Sequence, residues 1–515
     1  MPIPLIDLFA GPGGLNEGFN RLRSVRGGNV FKTVLSVECE PWAHRTLELR
    51  ALYRHLADAG RTGEYLRYLR NEITRETLFD GAGAAAKAAS GEAMLATLGE
   101  SESHDREIEE RIAAALGDRD GDFVLIGGPP CQAYSLVGRA RRTNDEKFED
   151  DHKHYLYREY LRIVRKFRPA AFVMENVPGL LSAKNRGQLM FELICFDLRG
   201  AGYDLHPINP VAEEGSAADD PRRFVVRAEE FGVPQSRARV FVLGLRRDLN
   251  LRPASLVRAS GEPVTAAQAL GDLPRIRSRL SKEFDCAVNW RKAIHRLKDH
   301  AMTGLDENFR RKLLHRLEIV PLSYPLGKRF IGRENSGPAQ LSEWYLEGDC
   351  GMVINHNSRG HMGADLMRYF FWSEYAAHYG RSPSLHDVPR FLRPKHLNVT
   401  GDLVDLPFAD RFRVQLGGRP STTIVSHIAK DGHYYIHYEP KQCRSLSVRE
   451  AARLQTFPDN YFFEGAATDQ YRQVGNAVPP YLAMQIASVV SAALTGRPSL
   501  PTRTEPGESV APRSS

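Results

Sequence analysis

Cysteine is sparse in this chain, with six in 515 residues, at positions 39, 131, 195, 286, 350 and 443. No two form a CxxC pair, which argues against a disulfide scaffold and a cysteine-built zinc site and fits a reducing, cytoplasmic setting; no metal is expected. Long apolar runs are also missing. None approaches 18 residues, so no membrane span is expected. The N-terminal Met1-Pro2-Ile3-Pro4-Leu5 lacks the basic and then apolar pattern of a secretory signal. What remains is a globular composition, 42% apolar and 26% charged with a mean hydropathy of −0.39. The length allows two or three domains. A net charge of +7 and a sequence pI near 9.0 are compatible with a polyanionic partner, though weakly so over this length.

The chain is organised around Gly127-Gly128-Pro129-Pro130-Cys131-Gln132. The apolar run Phe123-Val124-Leu125-Ile126 reads as a short buried strand, which the glycines and prolines end abruptly. Catalytic groups of α/β sheets sit at such strand ends. A thiol held there suits covalent catalysis, because the thiolate is a strong nucleophile. A lone cysteine after a strand is more often a packed residue, so Cys131 alone does not decide the matter.

A second strand end stands at the N-terminus, where Ile3 to Phe9 leads into Ala10-Gly11-Pro12-Gly13-Gly14. A glycine turn between strand and helix lets a cofactor approach the backbone. A helix from about Leu15 and a strand from Val30 to Val37 then bring Glu38 to a strand tip, placed to bond ribose hydroxyls; a solvated cap is the bland alternative. A third strand, Ala171-Phe172-Val173-Met174, ends at Glu175, a carboxyl able to meet Cys131 on the sheet's carboxyl edge and donate a proton. Gln235-Ser236-Arg237-Ala238-Arg239 precedes the buried run from Val240 to Gly244. Salt-bridging arginines at a strand mouth are a competing reading, for Arg237 above all.

Together these strings resemble the cytosine-5 methyltransferases. Pro-Pro-Cys-Gln resembles the family's nucleophile motif, and 7–14 (Asp-Leu-Phe-Ala-Gly-Pro-Gly-Gly) its first motif. Glu175-Asn176-Val177 resembles the acid motif, and Gln-x-Arg-x-Arg another. Residues 444–458 resemble the motif that buttresses the recognition domain, opening on a capping box, Ser447-x-x-Glu450. Gln473-Val474-Gly475-Asn476-Ala477-Val478-Pro479-Pro480 resembles the last motif, which folds back beside the first glycine turn. A proline-led helix, to about Leu494, follows it.

The resemblance implies an α/β fold: a Rossmann-like S-adenosylmethionine-dependent methyltransferase sheet with a smaller, irregular target-recognition domain. It implies Cys131 as nucleophile, Glu175 as acid and Arg239 as holder of the cytosine O2, with Gln235 and Arg237 organising the site. S-adenosylmethionine is the implied cofactor. Its implied pocket comprises Asp7, Phe9, Ala10, Gly11, Gly13, Gly14, Leu15, Glu38, Cys39, Pro129, Asn476 and Val478. Glu72 and Ile73 join it, because Asn71-Glu72-Ile73-Thr74 stands where the family has its Gly-Asp-Ile-Thr. Double-stranded DNA is the implied partner, met by Gln132, Ser135, Arg139, Arg141 and Arg142 in a polar, arginine-rich stretch. Restriction or phage-defence proteins are possible further partners, and a bacterial cytosol or nucleoid the implied location.

The domain layout expected is a catalytic first part at 1–247, a recognition domain at 248–443, a catalytic return at 444–496 and a disordered tail at 497–515. A helical insertion is expected at about 50–121, with no site residues in its alanine-rich part. In 275–329, 14 Lys/Arg face 6 Asp/Glu around Trp290, as a nucleic-acid surface would have it. Asn355-His356-Asn357-Ser358-Arg359 and the turn at 417–423 are loop elements able to reach DNA. Two competitors stay open. An RNA-modifying branch of the family carries Cys-Phe-Thr in its recognition region, whereas the Cys195-Phe196 pair here precedes Asp197. A catalytically silent DNA-binding subunit is the other, against which intact Cys131, Glu175 and Arg239 speak.

Overall fold

The computed structural model describes residues 1–118, 121–130, 156–185, 187–210, 220–333, 337–394 and 411–496. An eight-stranded sheet organises the catalytic half. Its strands are β1 (Ile3–Leu8), β2 (Phe31–Glu38), β3 (Ala93–Leu95), β4 (Val124–Gly127), β5 (Ala171–Asn176), β6 (Tyr203–His206), β7 (Val225–Arg227) and β8 (Ala238–Arg246). The spatial order is β3-β2-β1-β4-β5-β8-β6, with β7 also beside β8. The first five run parallel, and β8 is antiparallel to β5, β6 and β7.

Central parallel strands are covered on both faces, which is why β4 and β5 are continuous apolar runs rather than alternating ones. Their side chains still sort by period two. Val124, Ile126, Ala171 and Val173 join one core, and Leu125, Phe172 and Met174 the opposite one. The first core is closed by α1 (Gly14–Arg21) and the final helix, which ends the chain's described part at Pro480–Thr495. The opposite core is closed by the helices Glu102–Leu116, Leu156–Phe167 and Met190–Gly200.

Most strand positions of the catalytic half follow the sequence reading, whereas Asn355 and His356, expected in a loop able to reach DNA, are fully buried, and the 50–121 segment differs. The segment expected as a helical insertion contains β3, an integral strand paired to β2 from Ser36↔Ala93 to Glu38↔Leu95. Ala93-Met94-Leu95 has neither alternation nor β-branched residues, so the strand is set by pairing with β2 rather than by local preference. Before it lie the long helix α2 (Pro41–Asp58) and three short ones, Thr62–Leu69, Arg75–Ala82 and Ala84–Glu92.

The later half has its own core around the helix Gly363–Tyr379, with Trp290, Phe309, Phe371 and Trp372 buried in it. A further cluster joins Ala266, Leu270 and Leu273 to residues of the helices Val448–Leu454 and Ala467–Asn476. The capping box forms as expected: Ser447 accepts from the Glu450 amide, and Glu450 reaches back to the Ser447 amide. Residues 467–495 are long and apolar enough, taken together, to cross a membrane. They form two helices parted at Ala477–Pro479, and Tyr471, Val474, Leu482, Ile486 and Val490 are buried in the interior.

Candidate active site

Strand order reverses at β1, which has β2 on one side and β4 on the other, so a crevice opens beyond the carboxyl ends of β1 and β4. Leu8 pairs with Gly127 there, which puts the Ala10–Gly14 turn beside the Gly128-Pro129-Pro130 turn. Gly127 is required at this crossing, since a Cβ would stand 2.5 Å from the Leu8 carbonyl oxygen. Cys131, Gln132, Ser135, Arg139, Arg141 and Arg142 lie outside the described residues.

Residues expected at the chemistry gather around that turn. The Glu175 carboxylate pairs with Arg239, Nε to Oε1 at 2.9 Å, and both side chains are nearly buried. The antiparallel register of β5 and β8 sets this up, with Asn176 opposite Val240 and Glu175 opposite Phe241. Glu175 also faces the Cys131 turn: a Cβ on Gly128 would lie 3.0 Å from its Oε2. Asn176 ties the turn down, its Nδ2 donating to the Pro129 carbonyl at 3.3 Å while its Oδ1 accepts from the Val177 amide at 2.9 Å. Its place in the string Glu175-Asn176-Val177 does not by itself mark Asn176 for this role.

Gln235 and Arg237 point elsewhere. Arg237 is fully buried and donates to the carbonyls of Ile424 (2.7 Å) and Ala477 (2.8 Å). Burial first, then the neighbouring Arg239 charge, push its pKa well below the ordinary arginine value. Gln235 donates to the Leu454 carbonyl at 3.0 Å and accepts from the Ile424 amide at 2.8 Å. Residues Gln235–Ser236 pair in parallel with Ser421–Thr422. These two side chains therefore join the sheet to the returning segment, with Arg237 close enough to the Glu175–Arg239 pair to be influenced by both charges.

At the first turn Phe9 takes φ +55°, a left-handed conformation uncommon for an aromatic residue and found where a site constrains the backbone. Glu38, at the tip of β2, accepts from the Gly11 amide at 2.7 Å and the Glu40 amide at 2.8 Å. Oε1 also accepts from the Cys39 thiol at 3.6 Å, and Oε2 keeps a further lone pair. The Glu38 pKa is raised, by burial against these hydrogen bonds. Asp7 is buried with both carboxylate oxygens lacking a hydrogen-bond partner among the described residues. Burial, then the Glu38 charge, raise its pKa well above the usual range. Burial and Glu38 also push the Cys39 thiol up to about 11, so it stays protonated at neutral pH.

The last motif closes on this turn. A Cβ on Gly14 would stand 2.2 Å from the Val478 carbonyl oxygen, and one on Gly18 2.4 Å from both Ala483 Cβ and the Pro480 carbonyl oxygen. The Tyr461 hydroxyl donates to the Pro12 carbonyl. Leu15 is buried in the same packing, and Asn476 is exposed at the end of its helix. Glu72 and Ile73 are not on the β3 edge. They occupy a turn before the helix Arg75–Ala82, where Glu72 pairs with Arg67 at 3.4 Å. The residues that follow β3 are Ala96 and Thr97, with the Ala96 amide bonded to the Glu38 carbonyl at 3.0 Å, and Leu95 half exposed beside them.

A reversing parallel sheet with an antiparallel β8, a glycine turn braced by the last helix, and an acid–arginine pair at the neighbouring strand end together make up the methyltransferase form of the Rossmann-like fold. Comparison with known proteins agrees. Residues 100–492 match the C-5 cytosine-specific DNA methylase family. The chain is 33% identical over 511 residues to the type II methyltransferase M.Bpa9945I of Bacillus paralicheniformis, covering 96% of this chain and 99% of that one. It is 30% identical to the type II methyltransferase M.AgeI of Thalassovita gelatinovora over 76% of this chain and 87% of that one. A DNA modification methyltransferase encoded within an E. coli prophage has a similar fold, with a TM-score of 0.52 at 20% identity, covering 96% and 99% of the two chains. The chain belongs to the C-5 cytosine-specific DNA methylases and is a methyltransferase that acts on DNA.

Proposed function

We propose that this enzyme flips a cytosine out of duplex DNA and methylates carbon 5 through a covalent intermediate on Cys131, with Glu175 and Arg239 holding the base. The observation that carries the reading is the Glu175–Arg239 pair, 2.9 Å apart and facing Gly128 of the Cys131 turn. The Cys131 thiolate adds to carbon 6, Glu175 gives a proton to ring nitrogen 3, and Arg239 steadies O2, so carbon 5 gains nucleophilic character. Once carbon 5 carries the methyl group its proton leaves, and elimination of Cys131 releases 5-methylcytosine.

S-adenosylmethionine supplies the methyl group. The residues present fit it: Asp7 and Glu38 offer buried acceptor oxygens, and the space where a Gly11 Cβ would lie is open to 4 Å. Phe9, Ala10, Gly11, Gly13, Gly14, Leu15, Cys39 and Pro129 would surround the group, with Val478 and Asn476 behind the turn. On the β3 side Leu95 and Ala96 replace Glu72 and Ile73 in this reading, because they follow the strand that neighbours Glu38. Residues 248–443 would read the DNA sequence. The names of the two relatives support a place beside a restriction partner.

A target duplex with fluorine at carbon 5 of the cytosine tests the chemistry, since fluorine cannot leave as the proton does. With S-adenosylmethionine the enzyme forms a denaturant-resistant adduct mapping to Cys131. Cys131→Ser forms none, and Glu175→Gln traps slowly. An adduct elsewhere, or turnover by Cys131→Ser, overturns the mechanism.

A further inference from the structure

The stretch 456–463 joins the helices Val448–Leu454 and Ala467–Asn476 without helix or strand of its own, yet every residue in it is buried. A connection normally runs over the surface, because a buried one must find partners for all its polar groups. Here the partners come from both halves of the protein. Asn460 donates through Nδ2 to the Glu347 carbonyl at 2.8 Å, and its backbone carbonyl accepts from the Tyr65 hydroxyl at 2.9 Å. The Phe463 amide donates to Asn355 Oδ1 at 3.0 Å.

Tyr461 is the residue of this stretch that reaches the first glycine turn. Its hydroxyl donates to the Pro12 carbonyl, and a Cβ on Gly13 would lie 3.1 Å from that hydroxyl. Pro12 stands before Gly13, the cap of α1, so its carbonyl lies outside the helical ladder and needs a partner of its own. Gly13 takes φ +88° at the cap, so the hydroxyl meets the backbone where the turn becomes helix. Burial first, then the Glu17 charge, hold the phenol well above its ordinary pKa, and it remains a donor.

Tyr461 is itself held on several sides. The Arg50 guanidinium lies 4.8 Å from its ring centroid, pairs with Glu17 of α1 at 2.8 Å (Nε to Oε2) and donates to Asn460 Oδ1 at 3.0 Å. Arg449 donates to the Tyr461 carbonyl at 2.6 Å. Glu17, Arg50, Arg449, Asn460 and Tyr461 are all buried, so the set keeps its geometry only while each member has its partner.

We propose that Tyr461 is a positioning residue for the methyl donor, its hydroxyl fixing the Pro12 carbonyl and with it the backbone of the turn at 10–14, a role that rests on the reading of that turn as the S-adenosylmethionine cleft. Tyr461→Phe keeps the ring beside Arg50 and removes only the donor. Calorimetry on the full chain with S-adenosylhomocysteine should show roughly tenfold weaker binding, since a buried carbonyl at the turn loses its partner. KM for S-adenosylmethionine should rise by a similar factor, while kcat and the affinity for a target duplex stay within about twofold, because the hydroxyl supports ground-state and transition-state binding alike. Tyr345→Phe is the control. Tyr345 is also buried, and its hydroxyl also donates to a backbone carbonyl, that of Arg453 at 2.7 Å, outside the turn. This variant should lower the urea midpoint as Tyr461→Phe does and leave S-adenosylhomocysteine affinity unchanged. Glu38→Ala tests the cleft itself. If it weakens S-adenosylhomocysteine binding and Tyr461→Phe does not, the positioning role falls alone; if neither variant weakens binding, the cofactor lies elsewhere and both readings fall. Equal losses of affinity in Tyr461→Phe and Tyr345→Phe, or a fall in kcat with KM unchanged, also overturn the role of Tyr461.

Discussion

The closure of the last helix on the first glycine turn gives a sharp test, because the same substitution at two helical glycines should have opposite effects. At Gly18 an added methyl would stand 2.4 Å from Ala483 Cβ and from the Pro480 carbonyl oxygen, and 2.5 Å from the Met484 amide nitrogen. Two of those neighbours are backbone and cannot turn aside, so the helices must part. Overpacking of this kind costs about 3 kcal/mol, offset by about 1 kcal/mol from replacing a helical glycine by alanine. Gly18→Ala should therefore lose about 2 kcal/mol, roughly a thirtyfold shift in the unfolding equilibrium. At Gly91, in the helix Ala84–Glu92, an added Cβ meets nothing within 4 Å. There the same change should gain up to about 1 kcal/mol. Urea unfolding of both variants measures the difference. Calorimetry with S-adenosylmethionine should show weakened binding for Gly18→Ala alone, because the helix it displaces braces the turn at 10–14. Equal stability and equal affinity in the two variants would refute the argument that this packing builds the cofactor cleft.

Other outcomes follow from single side chains. Glu374 is 3% exposed, and burial, against the charges of Arg316, Lys312 and Lys441, raises its pKa to about 7. Its folded state thus holds a proton that the unfolded chain gives up near 4.5, so stability is full at pH 4 and falls as pH rises through 7. Glu374→Gln should leave stability at pH 4 unchanged and add about 3 kcal/mol at pH 8, read by urea unfolding at both pH values. Arg453 is buried between Asp272 and Asp459, its Nη2 at 3.0 and 2.6 Å from their carboxylates. Arg453→Ala leaves both acids buried short of a partner and should cost about 3–5 kcal/mol, seen as a lowered urea midpoint. Neutralising Arg141 and Arg142 should reduce the salt dependence of DNA affinity by about one unit of slope for each phosphate left without its arginine, measured by titration across salt concentrations.

The catalytic half was readable because its strands announce themselves by ending. Each apolar run that became β1, β4 or β5 stops at a glycine–proline turn or an acidic residue, and those stops are where the sheet's edge gathers its polar groups. β3 carries no such mark, so nothing in the sequence separates Ala93-Met94-Leu95 from the helical segment around it, although it pairs beside Glu38. Among the described residues, the later half pairs its strands over only two or three residues, Arg279–Leu280 with Gly360–His361 and Phe330–Gly332 with Met352–Ile354. Three residues cannot display a period, so the pattern carries little there.

Gln235, Arg237 and Arg239 show where a motif's spelling stops being informative. On one continuous strand residues two apart share a face, which would send all three side chains to the same place. Here the strand breaks: Gln235–Ser236 pairs with Ser421–Thr422, β8 begins only at Ala238, and Arg237 falls in the gap. Arg237 therefore turns inward to carbonyls 187 and 240 residues away, while Arg239 meets Glu175. A guanidinium buried on neutral carbonyls is costly unless every partner is in place. Those partners, Ile424 and Ala477, lie on the two stretches that bring the later half and the final helix back to the sheet. Arg237 thus makes the fold of the site depend on the return of the chain, and it is the break before Ala238 that lets one arginine hold the fold while its neighbour meets the acid.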